Sequence, residues 1–109
     1  MPSAVAAENL IFQALADPSR RAILQLLTHG EAPVKTLTAR FDISQPAVSQ
    51  HLAALKDAGL VHARREGRLV YYRVEPRGMK PLIDWISHYR VFWTEHVERL
   101  EKLLENLDE

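Results

Sequence analysis

The stretch Ser44-Gln45-Pro46-Ala47-Val48-Ser49-Gln50-His51-Leu52-Ala53-Ala54-Leu55-Lys56-Asp57-Ala58-Gly59-Leu60 reads as one capped helix that presents small polar side chains along a face. Ser44 is placed to cap the free amides of the first turn, and Pro46 is tolerated there because its missing N–H has no intrahelical partner to lose. Val48, Leu52 and Leu55 recur at helical spacing and are expected to turn inward. That leaves Gln45, Ala47, Ser49 and Gln50 outward on the first turns. A Gln amide both donates and accepts, which matches an adenine edge in a DNA major groove. Gly59 is expected to close the helix in a left-handed conformation.

Upstream, Val34 to Phe41 carries Val34, Leu37, Thr38 and Phe41 at steps of three and four, and Asp42-Ile43 makes a short turn into Ser44. Two helices meeting at such a turn form a helix-turn-helix, in which the first braces the second for entry into the groove. Asp17-Pro18 has the form of an N-cap followed by a first-turn proline, and Ala22, Ile23, Leu26 and Leu27 then make an apolar stripe up to His29-Gly30. Leu10, Ile11, Ala14 and Leu15 predict a further helix over about residues 4–16.

Downstream of Gly59 the apolar period changes from 3.6 to 2. Val61 and Ala63, then Leu69, Tyr71 and Arg73, alternate against Val70, Tyr72 and Val74, which predicts a β-hairpin. Its tip is read as Arg64-Arg65-Glu66-Gly67-Arg68, with Gly67 supplying the positive φ of a tight turn. Such a wing sets Arg65 and Arg68 beside phosphates or a minor groove. A merely solvated, charged hairpin tip is the plainer alternative.

From about residue 79 to 106 a long helix is expected, with Pro81 in its first turn and no Pro or Gly after it. Leu82, Ile86, Tyr89, Trp93, His96, Leu100, Leu103 and Leu107 follow steps of four and three, the rhythm of a helix-packing seam. Trp85, Phe92, Val97 and Leu104 widen that stripe. A second copy of the chain is the economical partner, with Ile86, Tyr89, Trp93, Leu100 and Leu103 at the dimer interface and the N-terminal helix beside it. Packing of this helix onto its own core accounts for part of the stripe.

The 109 residues, 47% of them hydrophobic, suit one compact domain spanning 1–109. No long apolar run marks a membrane span and no basic-then-apolar leader opens the chain, so a cytoplasmic location is expected. The absence of cysteine removes disulfides, thiolate metal ligands and cysteine nucleophiles. Net charge is zero, yet residues 31–80 carry nine Lys or Arg against five acids, while residues 81–109 carry three against seven. A basic middle and an acidic tail are compatible with a DNA-binding body joined to a part that avoids DNA. No Gly-rich phosphate loop or nucleophile constellation supports an enzyme.

Ala14-Leu15-Ala16-Asp17-Pro18-Ser19-Arg20-Arg21-Ala22-Ile23-Leu24, the run from Ser44 to Val61, the Arg-Glu-Gly-Arg wing and Tyr71-Tyr72 together resemble the ArsR/SmtB family of winged helix-turn-helix repressors. The resemblance implies a mainly α fold with a small β-hairpin wing, dimeric through its terminal helices. It also implies a homodimeric regulator that binds a palindromic operator in double-stranded DNA and leaves it when an effector arrives. By position it assigns DNA contact to Gln45, Ala47, Ser49, Gln50 and His51 in the helix and to Arg65 and Arg68 in the wing. His51, next to Leu52, could lie against a phosphate or partly in the core.

Val34-Lys35-Thr36-Leu37 stands where metal-sensing members carry a cysteine box, so the resemblance is to a branch without it, and no metal or cofactor is expected. Asp84 and His88 share a helix face, and His96 lies eight residues beyond. A zinc-responsive repressor using them is the alternative within the family. Trp85, Tyr89, Phe92 and Trp93 could line a pocket for an unidentified apolar effector, against simple dimer packing. A winged-helix module that binds protein instead of DNA is the alternative outside the family.

Overall fold

The structure, a computed structural model, describes residues 4–107. Six helices and three strands run in the order α1 (Ala4–Leu15), α2 (Pro18–Leu27), β1 (Ala32–Pro33), α3 (Val34–Arg40), α4 (Gln45–Asp57), β2 (Val61–Glu66), β3 (Leu69–Val74), a 3₁₀ turn at Pro76–Met79, α5 (Lys80–His88) and α6 (Arg90–Leu107). The mainly α fold with a hairpin wing matches the sequence reading.

Two of the helix starts follow the capping chemistry in the sequence. Asp17 accepts from the amides of Ser19 (2.8 Å) and Arg20 (3.1 Å), and Pro18 opens α2 behind it. Ser44 Oγ accepts from the Ala47 amide at 3.2 Å, with Pro46 in the first turn of α4. Between α3 and α4 the chain reverses through Asp42 at φ 42°, a left-handed residue of the type whose short side chain tolerates it. At the far end of α4, the Gly59 amide bonds the Lys56 carbonyl and the Leu60 amide bonds the Leu55 carbonyl, both at 2.9 Å. With Gly59 at φ 80° this is a complete Schellman motif, and its apolar pair, Leu55 and Leu60, is fully buried.

The core forms where the inner faces of α1 to α4 meet the start of the wing. Ile11, Ile23, Leu27, Leu37, Val48, Leu52, Leu55, Leu60 and Val61 are all buried. Because Val48, Leu52 and Leu55 bind α4 into this core, the opposite face of α4 is held rigidly outward. Glu75 donates its amide to the Leu60 carbonyl (2.9 Å), and the following turn brings Gly78 against the backbone of Gly59. A Cβ on Gly78 would be driven into the Gly59 carbonyl oxygen, so this approach requires glycine.

Three features differ from the sequence reading. Ala32–Pro33, between the two helices expected from the sequence, is an edge strand, and the antiparallel sheet runs β1-β3-β2 with Ala32 opposite Tyr72. Proline is accommodated there because an edge strand leaves one side of its backbone unpaired. Arg64, Arg65 and Glu66 belong to strand β2, and the turn itself is Gly67-Arg68, with Gly67 at φ 62°. Residues 79–106, expected as one helix, are two: Tyr89 leaves helical geometry at φ −102°, ψ 12°. The break keeps α5 against α1, with Trp85 edge-on to Phe12 (ring centroids 5.3 Å) and tilted against Tyr89 (5.2 Å), while α6 departs from the body. Every described residue from 83 onward is exposed.

Candidate nucleic-acid interface

Helix α4 offers three strips outside its buried one. Pro46, Gln50 and Ala53 form the exposed crest. Gln45, Ser49 and Lys56 follow along the flank nearest the wing and are also exposed. Ala47, His51 and Ala54 lie on the other flank, half-buried. Of the residues assigned to DNA contact, Gln45, Ser49 and Gln50 are therefore free to reach a base edge. Ala47 presents little surface, and His51 is turned toward α2, where Arg20 Nε donates to its Nδ1 at 3.3 Å.

The wing stands beside the first turn of α4. An open cleft of about 460 Å³ separates the wing turn from α3, and its walls bring together Lys35, Gln45, Arg68 and Val70. Arg68 sits at the turn, exposed on the wing side, and Lys35 projects from the first turn of α3 opposite it. Lys35 was not among the residues the sequence reading assigned to DNA. Its signal was a basic residue at the start of the bracing helix, legible only once the wing is seen across from it.

Strand parity separates the two neighbouring arginines of the wing. Arg65 lies opposite Val70, on the sheet face that carries Val61, Tyr72 and Val74 toward the helices, but beyond the core and exposed. Arg64 lies opposite Tyr71 on the other face, with its guanidinium 5.0 Å from that ring centroid. It is bound to Glu31 through two nitrogens and to Glu66 at 2.8 Å. These hydrogen bonds hold Glu31 below its ordinary carboxylate range and raise the Arg64 guanidinium. Arg64 thus straps the wing to the segment before β1, and Arg65 and Arg68 remain without a carboxylate partner among the described residues. Asp17 is also lowered, chiefly by the Arg20 amide and further by the Ser19 amide and the nearby His51 and Arg20.

The residues assigned to the dimer interface are all exposed: Ile86 by 48%, Tyr89 by 40%, Trp93 by 51%, Leu100 by 54% and Leu103 by 57%. Ile86 and Trp93 face a shared hollow across the α5–α6 break, while Tyr89 forms the break itself. Asp84, His88 and His96 have separate engagements. Asp84 pairs with Lys80 (2.7 Å), His88 meets the Tyr89 ring edge-on, and His96 stacks on Phe92 and donates from Nδ1 to its carbonyl at 2.8 Å. Among the described residues no group of three or more His, Asp or Glu side chains is gathered as for a metal ion. No described helix is long and apolar enough to cross a membrane.

A helix-turn-helix domain family matches residues 15–64, which take in α2, β1, α3, α4 and the first four residues of β2. The transcriptional repressor SdpR of Bacillus subtilis is 35% identical over 81 residues, covering 74% of this chain and 90% of that protein. The HTH-type transcriptional regulator Rv2034 of Mycobacterium tuberculosis is 39% identical over 95 residues, covering 87% and 86%. A crystal structure of an ArsR family transcriptional regulator superposes with a TM-score of 0.74 at 33% identity, covering 86% of this chain and 97% of that one. The polar face of α4, the basic wing beside it and these likenesses agree: the chain belongs to the ArsR family of winged helix-turn-helix, DNA-binding transcriptional regulators.

Proposed function

We propose that the protein is a homodimeric repressor in which each copy lays α4 in a major groove of a two-fold operator and rests its wing on the adjoining backbone. The observation that carries this reading is the exposed row Gln45, Ser49 and Gln50 flanked by unpaired cations at Lys35, Arg65 and Arg68. The amides and hydroxyl read base edges, and the cations neutralise phosphates without reading sequence. The exposed apolar face of α5 and α6 supports dimerisation, because a stripe of this size on a small domain is rarely left in water.

The test is a pair of binding isotherms, on duplex DNA from upstream of the protein's own gene and on a random duplex. Ser49→Ala or Gln50→Ala should cost about 1–3 kcal/mol on the specific duplex and little on the random one. Equal losses on both would remove the base-reading role from α4.

A further inference from the structure

Opposite the wing, the other flank of α4 carries a second polar arrangement. Arg20, near the start of α2, donates its Nε–H to Nδ1 of His51 at 3.3 Å. A guanidinium has no acceptor, so His51 must accept at Nδ1 and carry its proton on Nε2. The imidazole is therefore a donor on its remaining side. Nε is the only atom of the Arg20 guanidinium with a hydrogen bond among the described residues, which leaves its two terminal nitrogens with four N–H groups to offer. The nearby Asp17 carboxylate is turned to the amides of Ser19 and Arg20. Arg20 also lines a hollow with Gln13 and Asp57, neither of them hydrogen-bonded to it among the described residues, so the result is a cluster of donors around a fixed positive charge.

We infer that Arg20 and His51 form a second phosphate-binding pair, so that α4 is flanked by cations on both walls of the groove: Lys35 and Arg68 on one side, Arg20 with His51 on the other. This rests on the proposed DNA-reading role of α4. The chemistry favours a phosphodiester oxygen over a base, because the pair lies off the crest of α4 and offers donors only. Arg20 both contacts the phosphate and fixes the tautomer of His51.

The test compares wild-type protein with Arg20→Ala, His51→Leu and His51→Gln on the upstream duplex across a salt series. Each lost phosphate contact should reduce the steepness of log K against log salt by about 0.9, so about 1.8 for a dimer on two half-sites. Arg20→Ala should show this reduction on specific and random DNA alike, whereas His51→Leu, which removes an uncharged donor, should weaken binding to both at the wild-type slope. His51→Gln should keep the wild-type affinity as well as the slope, since its amide can accept from Arg20 and still donate to the phosphate. A single uncharged methylphosphonate at the contacted position should weaken wild type but not weaken Arg20→Ala further. The ring ¹⁵N shifts of His51 should report an unprotonated Nδ1 and a protonated Nε2. An unchanged slope in Arg20→Ala, or unchanged affinity in His51→Leu, in proteins that melt like wild type would overturn the pair while leaving α4 as the reader. Failure of wild type to bind the duplex would overturn the DNA reading and the pair with it.

Discussion

Leu100 lies midway along α6, 54% exposed in the single chain. A Leu100→Ala change deletes three carbons worth about 0.8 kcal/mol each when fully buried, so covering the exposed half contributes about 1 kcal/mol per copy. Two-fold symmetry places the change twice in each interface, for about 2 kcal/mol and a roughly 30-fold weaker dimer. Leu100→Glu is more severe, because each copy would then bury a carboxylate against an apolar face. Sedimentation equilibrium across micromolar concentrations reads the outcome directly. Wild type should approach twice the 12.5 kDa chain mass, Leu100→Ala should shift the midpoint upward, and Leu100→Glu should remain at the single-chain mass. Leu100→Ala should keep the wild-type helical circular dichroism at concentrations where both are dimers. A Leu100→Glu protein that sediments like wild type would refute the assignment of this face to the dimer.

Gly78→Ala should destabilise the fold by about 1–3 kcal/mol or more in urea titrations, because its Cβ meets the Gly59 carbonyl, a backbone atom that cannot rotate aside. Wild-type stability should be present above the ordinary carboxylate values of 3.8 for Asp17 and 4.5 for Glu31 and fall as pH drops through them toward their lowered folded values. The unfolded chain takes up those protons first. Asp17→Asn with Glu31→Gln should therefore flatten the decline of the urea midpoint between about pH 5 and about pH 3. Lys35→Ala and Arg68→Ala should weaken binding to specific and random DNA equally and flatten the salt dependence, each by about 0.9 per half-site. A loss confined to the specific duplex would move those side chains from the backbone to the bases.

Most of this fold could be read from local chemistry. Asp17-Pro18 and Ser44-Gln45-Pro46 announce their helices through caps and prolines, Gly59 announces the end of α4, and the change from period 3.6 to period 2 announces the wing. The misses share a cause: each depends on a partner distant in sequence. Ala32–Pro33 is a strand only because Tyr71 and Tyr72 lie beside it. Tyr89 interrupts a stretch that has no Pro or Gly after Pro81 because α5 is held on α1 through Trp85 and Phe12 while α6 leaves. Within the site, Gln45, Ser49 and Gln50 followed from helical spacing alone. The separation of Arg64 from Arg65 follows from strand parity, but the engagement of Arg64 in an ion pair needed Glu31, 33 residues away. His51 likewise took its orientation from Arg20, 31 residues upstream.

A hydroxyl-radical footprint of the protein on the DNA upstream of its own gene tests the two-copy, two-groove arrangement most directly. Two protected backbone patches related by a dyad, with centres about one helical turn of 10–10.5 base pairs apart or a multiple of it, are expected if paired copies of α4 occupy major grooves. Protection of a single patch, or a featureless stretch unchanged on random DNA, would contradict it.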